Sequence, residues 1–261
     1  MSSDVRKFIK TDTEAVLTIL ANGFEELISP IVRSLLLSSP LLFYGVIVPT
    51  SVVAYLTEDI TWPIIHRLCA AMFVSSTTVG LFRLTLKSLV THSIHDYIAQ
   101  QKKDDLRDIS EFYSCEKGCA FWVYTVNKDE AIGKRDIVVK EGGVEDVVGC
   151  VALENKGNGV CELRRMSVDS SYRRLRIAQK LLQQLKAHAC QQGYTKITLS
   201  TSEFQVAAQR LYVKHGFQLC STTAIEEPKA ALSLLQRIGK ACLRLLLPSE
   251  PKIFHYEYLI E

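Results

Sequence analysis

Two long uncharged stretches in the first third of the chain interrupt an otherwise regular alternation of apolar and polar residues. Ser34–Thr57 holds 24 residues without a charge, and Leu68–Phe82 holds 15. A helix that crosses a bilayer needs about 20 apolar residues, so the first stretch is long enough and the second is marginal. We predict a membrane helical hairpin over residues 31–90. A buried helical pair in a soluble domain and a re-entrant hairpin are the alternatives.

The charges that flank this hairpin give it an orientation. Arg33 precedes the first stretch, and Arg83 and Lys87 follow the second, whereas the connection between the stretches is acidic and aromatic. Basic residues stay on the cytoplasmic side of a membrane, so both outer ends are expected there.

Outside the hairpin, the pattern changes repeatedly between the period of a strand and that of a helix. This predicts an α/β fold with a mixed sheet flanked by helices. We assign residues 1–30 to the first strand and helix of this domain and residues 91–261 to its main part. Strands are predicted over Cys119–Val126, Asp146–Leu153, Cys161–Val168, Lys196–Ser200 and Ile253–Ile260, and helices over 94–113, 176–192 and 205–215, after an opening strand and helix over Val5–Leu20.

Composition excludes some classes of protein. The chain has 31 basic and 28 acidic residues, a net charge of +3, and 48% of its residues are hydrophobic. That is too apolar for a disordered chain and not basic enough for a dedicated nucleic-acid binder. Eight cysteines without a C-x-x-C pair favour free thiols in a reducing compartment. The histidines show no metal-ligand spacing, so no metal is predicted.

Positive charge collects where a predicted strand ends and a predicted helix begins. Five arginines stand at 164, 165, 173, 174 and 176, and Asp169 is the one acid between 164 and 178. A helix N-terminus offers unpaired N–H groups to an anion, so this junction suits a pyrophosphate. Arginines on a solvated turn are the alternative reading.

Two motifs carry a resemblance to a known family. Residues 173–178 stand where the GCN5-related N-acetyltransferase superfamily has its Gln/Arg-x-x-Gly-x-Gly/Ala loop. The segment from Ala208 to Phe217, AQRLYVKHGF, resembles the A-x-x-L-Y-x-x-x-G-F segment of the same superfamily. A membrane hairpin after the first helix further resembles the camello-like N-acetyltransferases, the group of the cysteine-S-conjugate and aspartate acetyltransferases. The resemblance covers nearly the whole chain.

The resemblance implies a fold, a co-substrate and roles for particular residues. The fold would be that of the GCN5-related acetyltransferases, and the co-substrate acetyl-CoA, with no metal. Tyr212 would protonate the departing thiolate, although core packing is the alternative role, and Glu162 aligns with the glutamate base of histone-acetylating relatives. The implied acetyl-CoA contacts are Met166, Ser167 and Val168 for the pantetheine arm, Arg173, Arg174, Leu175, Arg176, Ile177 and Ala178 for the pyrophosphate, and Gln205 facing the cofactor.

Arg176 departs from the family pattern, because the loop there usually has a glycine. An arginine either bends outward and adds charge to the phosphates or obstructs them. The first outcome gives an enzyme that acetylates an amine: an amino acid, a cysteine conjugate or a lysine. The second gives a membrane-anchored, non-catalytic relative that binds CoA or a protein partner. We expect the first, because neighbouring arginines and the helix N-terminus already attract anions.

The remaining expectations concern partners and location. Lys229–Leu247 reads as a basic amphipathic helix, which would pack on its own sheet or lie on a membrane surface. The predicted partners are an amine substrate and membrane lipid, and no nucleic acid. The expected location is the endoplasmic reticulum membrane, with the catalytic domain facing the cytosol.

Overall fold

The computed structural model describes residues 5–38, 41–57, 63–127, 145–224 and 252–260. The chain divides into two compact units. The first contains residues 1–26, 96–223 and 252–261, and the second contains 27–95 and 224–251. The predicted amphipathic helix over Lys229–Leu247 and the acidic connection of the hairpin at 58–62 lie outside the described residues.

A seven-stranded sheet forms the centre of the first unit, as far as the structure describes it. The strand order is β1-β2-β3-β4-β5-β7-β6, and the recorded pairs are antiparallel except for β4 with β5, which are parallel. The predicted mixed, mostly antiparallel sheet is confirmed. Its strands are β1 (Val5–Lys7), β2 (Ala120–Asn127), β3 (Glu145–Gly157), β4 (Val160–Val168), β5 (Lys196–Ser202), β6 (Gln218–Ala224) and β7 (Lys252–Leu259).

Helices bury both faces of this sheet. The core cluster on one face contains α6 (Ile177–Gln191) and Tyr212 of α7 (Val206–Lys214), and the cluster on the other contains α1 (Thr13–Glu25) and the short α5 (Ile109–Phe112). The predicted apolar face of α6 is confirmed, because its residues are all buried. They are Ile177, Leu181, Leu182, Leu185 and Ala189.

Two parts of the predicted pattern differ from the structure. The strand β6 was not predicted, because every residue of Gln218–Ala224 is exposed and the apolar alternation of a half-buried strand is missing. The predicted helix over 94–113 is interrupted: a helix from the preceding segment ends at Gln101, and only Ile109–Phe112 is helical beyond it. The turn between them contains the buried Asp105, whose carboxylate pairs with Arg165 of β4.

The second unit contains helices, and the described residues of the first uncharged stretch lie on two of them. α2 (Ile28–Ser38) ends before α3 (Leu41–Leu56) begins, while α4 (Ile64–Gln101) contains the whole second stretch. Residues 39 and 40, between these two helices, lie outside the described residues, so the predicted span over Ser34–Thr57 stays a prediction. Among the described residues, two helical stretches are long and apolar enough to cross a membrane, Lys10–Leu37 and Ile64–Gln101.

Candidate active site

The strands β4 and β5 pair for only part of their length. Their parallel pairing runs from Val160 with Lys196 to Glu162 with Thr198, although both strands continue for several residues. Beyond this fork, the described edges of β4 and β5 are not paired with each other. Their N–H and C=O groups need other partners, and an extended ligand can bind them as an added strand would.

A bulge in β4 lies just beyond the fork. Val151 of β3 faces two residues of β4, Arg165 and Met166. Arg165 has a φ of 54°, a left-handed conformation that residues other than glycine rarely adopt. The extra residue directs the Met166 side chain toward the core cluster of α6, whereas the Arg165 side chain points to the opposite side of the sheet.

A buried ion pair holds the bulge. The Arg165 side chain is 6% exposed and that of Asp105 is fully buried. Arg165 Nε donates to Asp105 Oδ2 at 2.8 Å, and its guanidinium also binds Oδ1 and the side chain of Gln101, while Tyr113 donates to Asp105. Burial raises the pKa of Asp105, but the Arg165 and Tyr113 hydrogen bonds and the Arg165 charge outweigh it, so the pKa lies below its ordinary value. Asp105 therefore stays ionised and fixes Arg165.

The structure brings two predicted site residues, Tyr212 and Met166, into contact. Tyr212 is buried on α7, and its hydroxyl lies 3.7 Å from Met166 Sδ. The rings of Phe217 and Tyr256 pack around it at 5.8 and 6.3 Å. Burial raises the pKa of the Tyr212 phenol above its usual value near 10, so the hydroxyl keeps its proton at neutral pH.

Glu162, the other predicted catalytic residue, lies at the fork and is bound in an ion-pair cluster. Lys156 Nζ lies 2.9 Å from Glu162 Oε2 and 3.0 Å from Glu154, and Arg164 binds Glu154 at 2.7 Å. Burial lowers the pKa of Lys156, but its bonds with Glu162 and Glu154 outweigh that effect and raise it, so the ammonium stays charged. One oxygen of the Glu162 carboxylate is therefore already bound by Lys156.

The predicted phosphate loop keeps the backbone of a glycine loop without the glycine. Arg176, at the N-cap of α6, has φ 61° and ψ 16°, and Arg174 has φ 67°. Arg176 is exposed, and Arg173 pairs with Glu26 at 2.5 Å. The loop from Arg173 to Arg176 thus leads directly into the first turn of α6, at Ile177 and Ala178, where backbone N–H groups lack intrahelical partners.

Two further predicted contact residues have local partners. Gln205, at the N-cap of α7, accepts hydrogen bonds from Thr201 Oγ1 at 2.9 Å and from the N–H of Ser202 at 3.2 Å. This ties the end of β5 to the start of α7. Ser167 Oγ donates to the carbonyl of Ile19 at 3.3 Å, on the α1 side of the sheet.

The structure also places a histidine beside the fork, which sequence reasoning did not select. His255 of β7 lies between Ser200 of β5 and Thr223 of β6, with a hydroxyl at each ring nitrogen. The sequence contains one indication of this residue, because a histidine interrupts the apolar run of the last predicted strand. Only strand pairing, however, shows that Ser200 is its neighbour.

A comparison with protein families decides the assignment. Residues 92–217 match the model of the acetyltransferase (GNAT) family. These residues form an acetyltransferase (GNAT) domain. The matched region contains the fork, the bulge, the arginine loop and Tyr212, so the residues of the candidate site lie in the part that defines the family.

Sequence comparisons with two individual proteins agree with the assignment of an acetyltransferase (GNAT) domain. The chain is 37% identical to the N-acetylaspartate synthetase of Xenopus tropicalis over 117 residues, which cover 44% of this chain and 37% of that protein. It is 29% identical to N-acetyltransferase family 8 member 2 of Rattus norvegicus over 220 residues, covering 82% and 83%. These relatives confirm the resemblance to the camello-like group. A GNAT acetyltransferase from Staphylococcus aureus superposes with a TM-score of 0.48 at 14% identity, covering 98% of each chain.

As a GNAT acetyltransferase, this protein uses acetyl-CoA as its acetyl donor. The observed site fits such a ligand. The unpaired edge of β4 offers backbone groups to an extended, amide-containing arm, and the arginine loop offers N–H groups and cations to a pyrophosphate. Among the described residues, no group of three or more His, Cys, Asp or Glu side chains is placed to hold a metal ion.

Proposed function

We propose that this chain is a membrane-bound N-acetyltransferase that moves the acetyl group of acetyl-CoA directly to a primary amine. One observation carries the proposal. The buried Tyr212 hydroxyl touches Met166, beside the unpaired edge of β4 along which an extended ligand can lie. A proton donor therefore stands next to the place expected for the thioester.

The reaction follows from these positions. The amine nitrogen attacks the acetyl carbonyl carbon, the new C–N bond forms, and the C–S bond breaks. Tyr212 gives its proton to the thiolate as it leaves, and the amine loses a proton to a base. Burial raises the pKa of the Tyr212 phenol and so keeps it protonated before the reaction. The thiolate forms in the same buried surroundings, which also disfavour its charged form, so it draws the proton from the neighbouring phenol as the C–S bond breaks.

The donor would be held by backbone groups and by the arginine loop. We assign the pantetheine arm to the backbone of Met166–Val168 and the pyrophosphate to the amides of Arg173–Ala178. Gln205 would face the cofactor from the start of α7, where its side-chain carbonyl oxygen already accepts hydrogen bonds from Thr201 and Ser202. Arg176 and Arg174, both exposed, would add charge at the phosphates.

Glu162 has a secondary role in this proposal. Its carboxylate at the fork attracts an ammonium group and can accept a proton through a water molecule. Lys156 lies 2.9 Å from Oε2, so an incoming amine would compete with a cation that is already in place.

The acceptor is proposed from the relatives. The name N-acetylaspartate synthetase describes a protein that acetylates an amino acid, which supports free amino acids as one acceptor class here. Cysteine conjugates and lysine side chains are the other classes. Calorimetric titration of the purified full chain with acetyl-CoA, followed by acetyl transfer to aspartate, an S-substituted cysteine and a lysine peptide, tests the function. Binding without transfer to any of these amines would contradict it.

A non-catalytic relative is the second candidate, and the observation behind it is the arginine that replaces the loop glycine. The left-handed backbone of Arg176 argues against it. An arginine in this conformation costs roughly 1–2 kcal/mol, yet Arg176 keeps the loop geometry and stays exposed. The side chain thus has room to reach a phosphate without filling the loop.

Substitution of Arg176 separates the two candidates. We expect Arg176→Ala to weaken acetyl-CoA binding by about 1.5–3 kcal/mol, the scale of a charged hydrogen bond. Arg176→Gly loses the same cation but relieves the left-handed strain, so its loss should be smaller. Calorimetry measures both. Tighter binding by Arg176→Gly than by the parent protein would show that the arginine obstructs the loop.

Membrane attachment is proposed from the exposure of α4. Only 6% of its most apolar segment is buried inside the structure, whereas the core helix of a soluble protein is mostly buried. The helix has 38 residues and is long enough to cross a hydrocarbon core of about 30 Å. Large exposed apolar side chains include Ile64, Leu68, Met72, Phe73, Leu81 and Leu84. We propose the endoplasmic reticulum, with both ends of the hairpin in the cytosol.

Carbonate extraction and protease protection test this attachment. We expect the parent protein to stay in the membrane pellet, with its C-terminus accessible to protease on the cytosolic side. The double variant Met72→Lys, Phe73→Lys should shift to the soluble fraction, because each lysine costs about 2.5–3.5 kcal/mol at a helix centre. Gln100→Lys, at the end of the same helix, is the control and should stay in the pellet. A protected C-terminus would contradict the orientation.

A further inference from the structure

Ser200, His255 and Thr223 form a hydrogen-bonded row across three neighbouring strands. Ser200 Oγ lies 2.9 Å from His255 Nδ1, and Thr223 Oγ1 lies 2.8 Å from Nε2. A neutral imidazole has one donor nitrogen and one acceptor nitrogen. The ring can therefore accept a hydrogen bond from one hydroxyl while it donates to the other, which makes the row a continuous path for a proton.

The row begins on the open edge of β5, next to the fork. Thr198 is the last residue of β5 that pairs with β4, and Ser200 follows two residues later, roughly 7 Å along the strand. Counted onward from this pairing, residue by residue, Ser200 corresponds to Arg164, which stands between Glu162 at the fork and Met166, the residue that contacts Tyr212.

The row and Tyr212 face opposite sides of the sheet. Leu199 and Tyr256, the sequence neighbours of Ser200 and His255, belong to the core cluster that contains Tyr212. Because side chains alternate along a strand, Ser200 and His255 point away from that cluster. An amine joins the acetyl carbon and a thiolate leaves it on different sides, so a proton donor on one face and a proton acceptor on the other suit this reaction.

We propose that Ser200 and His255 form the proton-accepting relay of this acetyltransferase, an assignment that rests on the function proposed above. As the C–N bond forms, the ammonium proton passes to Ser200 Oγ, and the proton of Ser200 passes to His255 Nδ1. The C–S bond breaks, and the thiolate takes the Tyr212 proton. The imidazolium then releases its extra proton from Nε2, past the exposed Thr223, to solvent, and the Tyr212 phenolate regains a proton from solvent when the products leave.

Glu162 is less well placed for this task. Its Oε2 is bound by Lys156, whereas the Ser200 hydroxyl is exposed and its hydrogen-bond partner is an imidazole. An acceptor amine can reach Ser200 without displacing a cation.

Kinetics of the full chain with an accepted amine test the relay. We expect His255→Ala and Ser200→Ala to lower kcat by roughly 10²-fold or more, with the Kd of acetyl-CoA and the KM of the amine unchanged. Ser200→Thr keeps a hydroxyl and should retain most of the activity. Glu257→Gln is the matched control, because Glu257 lies on the same strand and face as His255 and pairs with Lys196 at 3.4 Å. It should keep the parent kcat.

Chemical rescue separates a proton relay from a structural contact. Imidazole added to the buffer should raise the kcat of His255→Ala at least tenfold, in proportion to its concentration, and leave Glu257→Gln unchanged. An unchanged kcat in His255→Ala, a loss without rescue, or a large loss in Glu162→Gln with none in His255→Ala would overturn the relay alone. A parent protein that binds acetyl-CoA but acetylates no amine would overturn the proposed function and the relay with it.

Discussion

Tyr212→Phe should lower kcat by roughly 10²–10⁴-fold and leave the Kd of acetyl-CoA unchanged, because general acid catalysis contributes about that much. The phenylalanine ring keeps its packing against Phe217 and Tyr256, and the hydroxyl that is lost contacts, among the described residues, the Met166 thioether at 3.7 Å. The folded protein should therefore remain intact. Steady-state kinetics with an accepted amine and calorimetry with acetyl-CoA measure the two quantities.

A second buried tyrosine provides the control for this substitution. Tyr256 is 5% exposed and belongs to the same core cluster, but Tyr212 is the one whose hydroxyl contacts Met166. Tyr256→Phe should therefore keep a kcat near that of the parent. A folded Tyr212→Phe protein with parental kcat would remove Tyr212 from the mechanism and favour its alternative role in core packing.

Asp105→Ala should lower the free energy of unfolding by about 3–5 kcal/mol, the cost of leaving a buried charge without its partner. Arg165 would keep its guanidinium at 6% exposure with Gln101 as the remaining side-chain partner. The β4 bulge would lose its anchor, so the affinity for acetyl-CoA should fall as well. Denaturant unfolding followed by the fluorescence of the buried Trp122 measures the change.

Two comparisons make this prediction specific. Asp104→Ala removes the exposed neighbouring carboxylate and should change stability by less than about 0.5 kcal/mol. The pH dependence has a definite sign, because the folded pKa of Asp105 lies below its unfolded value. The ion pair therefore contributes fully above the unfolded pKa, and the contribution is lost as the pH falls through the folded pKa. Equal stability of Asp105→Ala and the parent would show that the pair does not hold the fold.

Much of the acetyltransferase domain was predictable, because its elements bury one face each. The apolar residues of Ile177–Gln191 recur at helical spacing, and all of those on the predicted face are buried. In the first half of the strand Val160–Val168, buried and partly buried residues alternate, as expected for a strand with one buried face. The prediction failed where no face is buried, as in Gln218–Ala224, and where a turn with the buried Asp105 interrupts a predicted helix, as between Gln101 and Ile109.

The candidate site likewise contains residues that local motifs predict and features that only the structure shows. The sequence predicted the arginine cluster from its position at a strand-to-helix turn, and it predicted a role for Tyr212 through the family resemblance of its local motif. It also showed that Arg176 stands where a glycine is usual. The structure then showed that Arg176 adopts a left-handed backbone conformation, which glycine reaches more readily than arginine.

The sequence by itself predicted the class of fold, the resemblance to acetyltransferases and an arginine-rich turn, because each depends on residues that are neighbours in the chain. Only the tertiary structure decided which distant side chains meet. Arg165 and Asp105 are 60 positions apart and Ser200 and His255 are 55, and no local pattern encodes such contacts. They arise from strand pairing, from a bulge that turns one arginine to the other face, and from the burial that makes an unpaired charge too costly to leave alone.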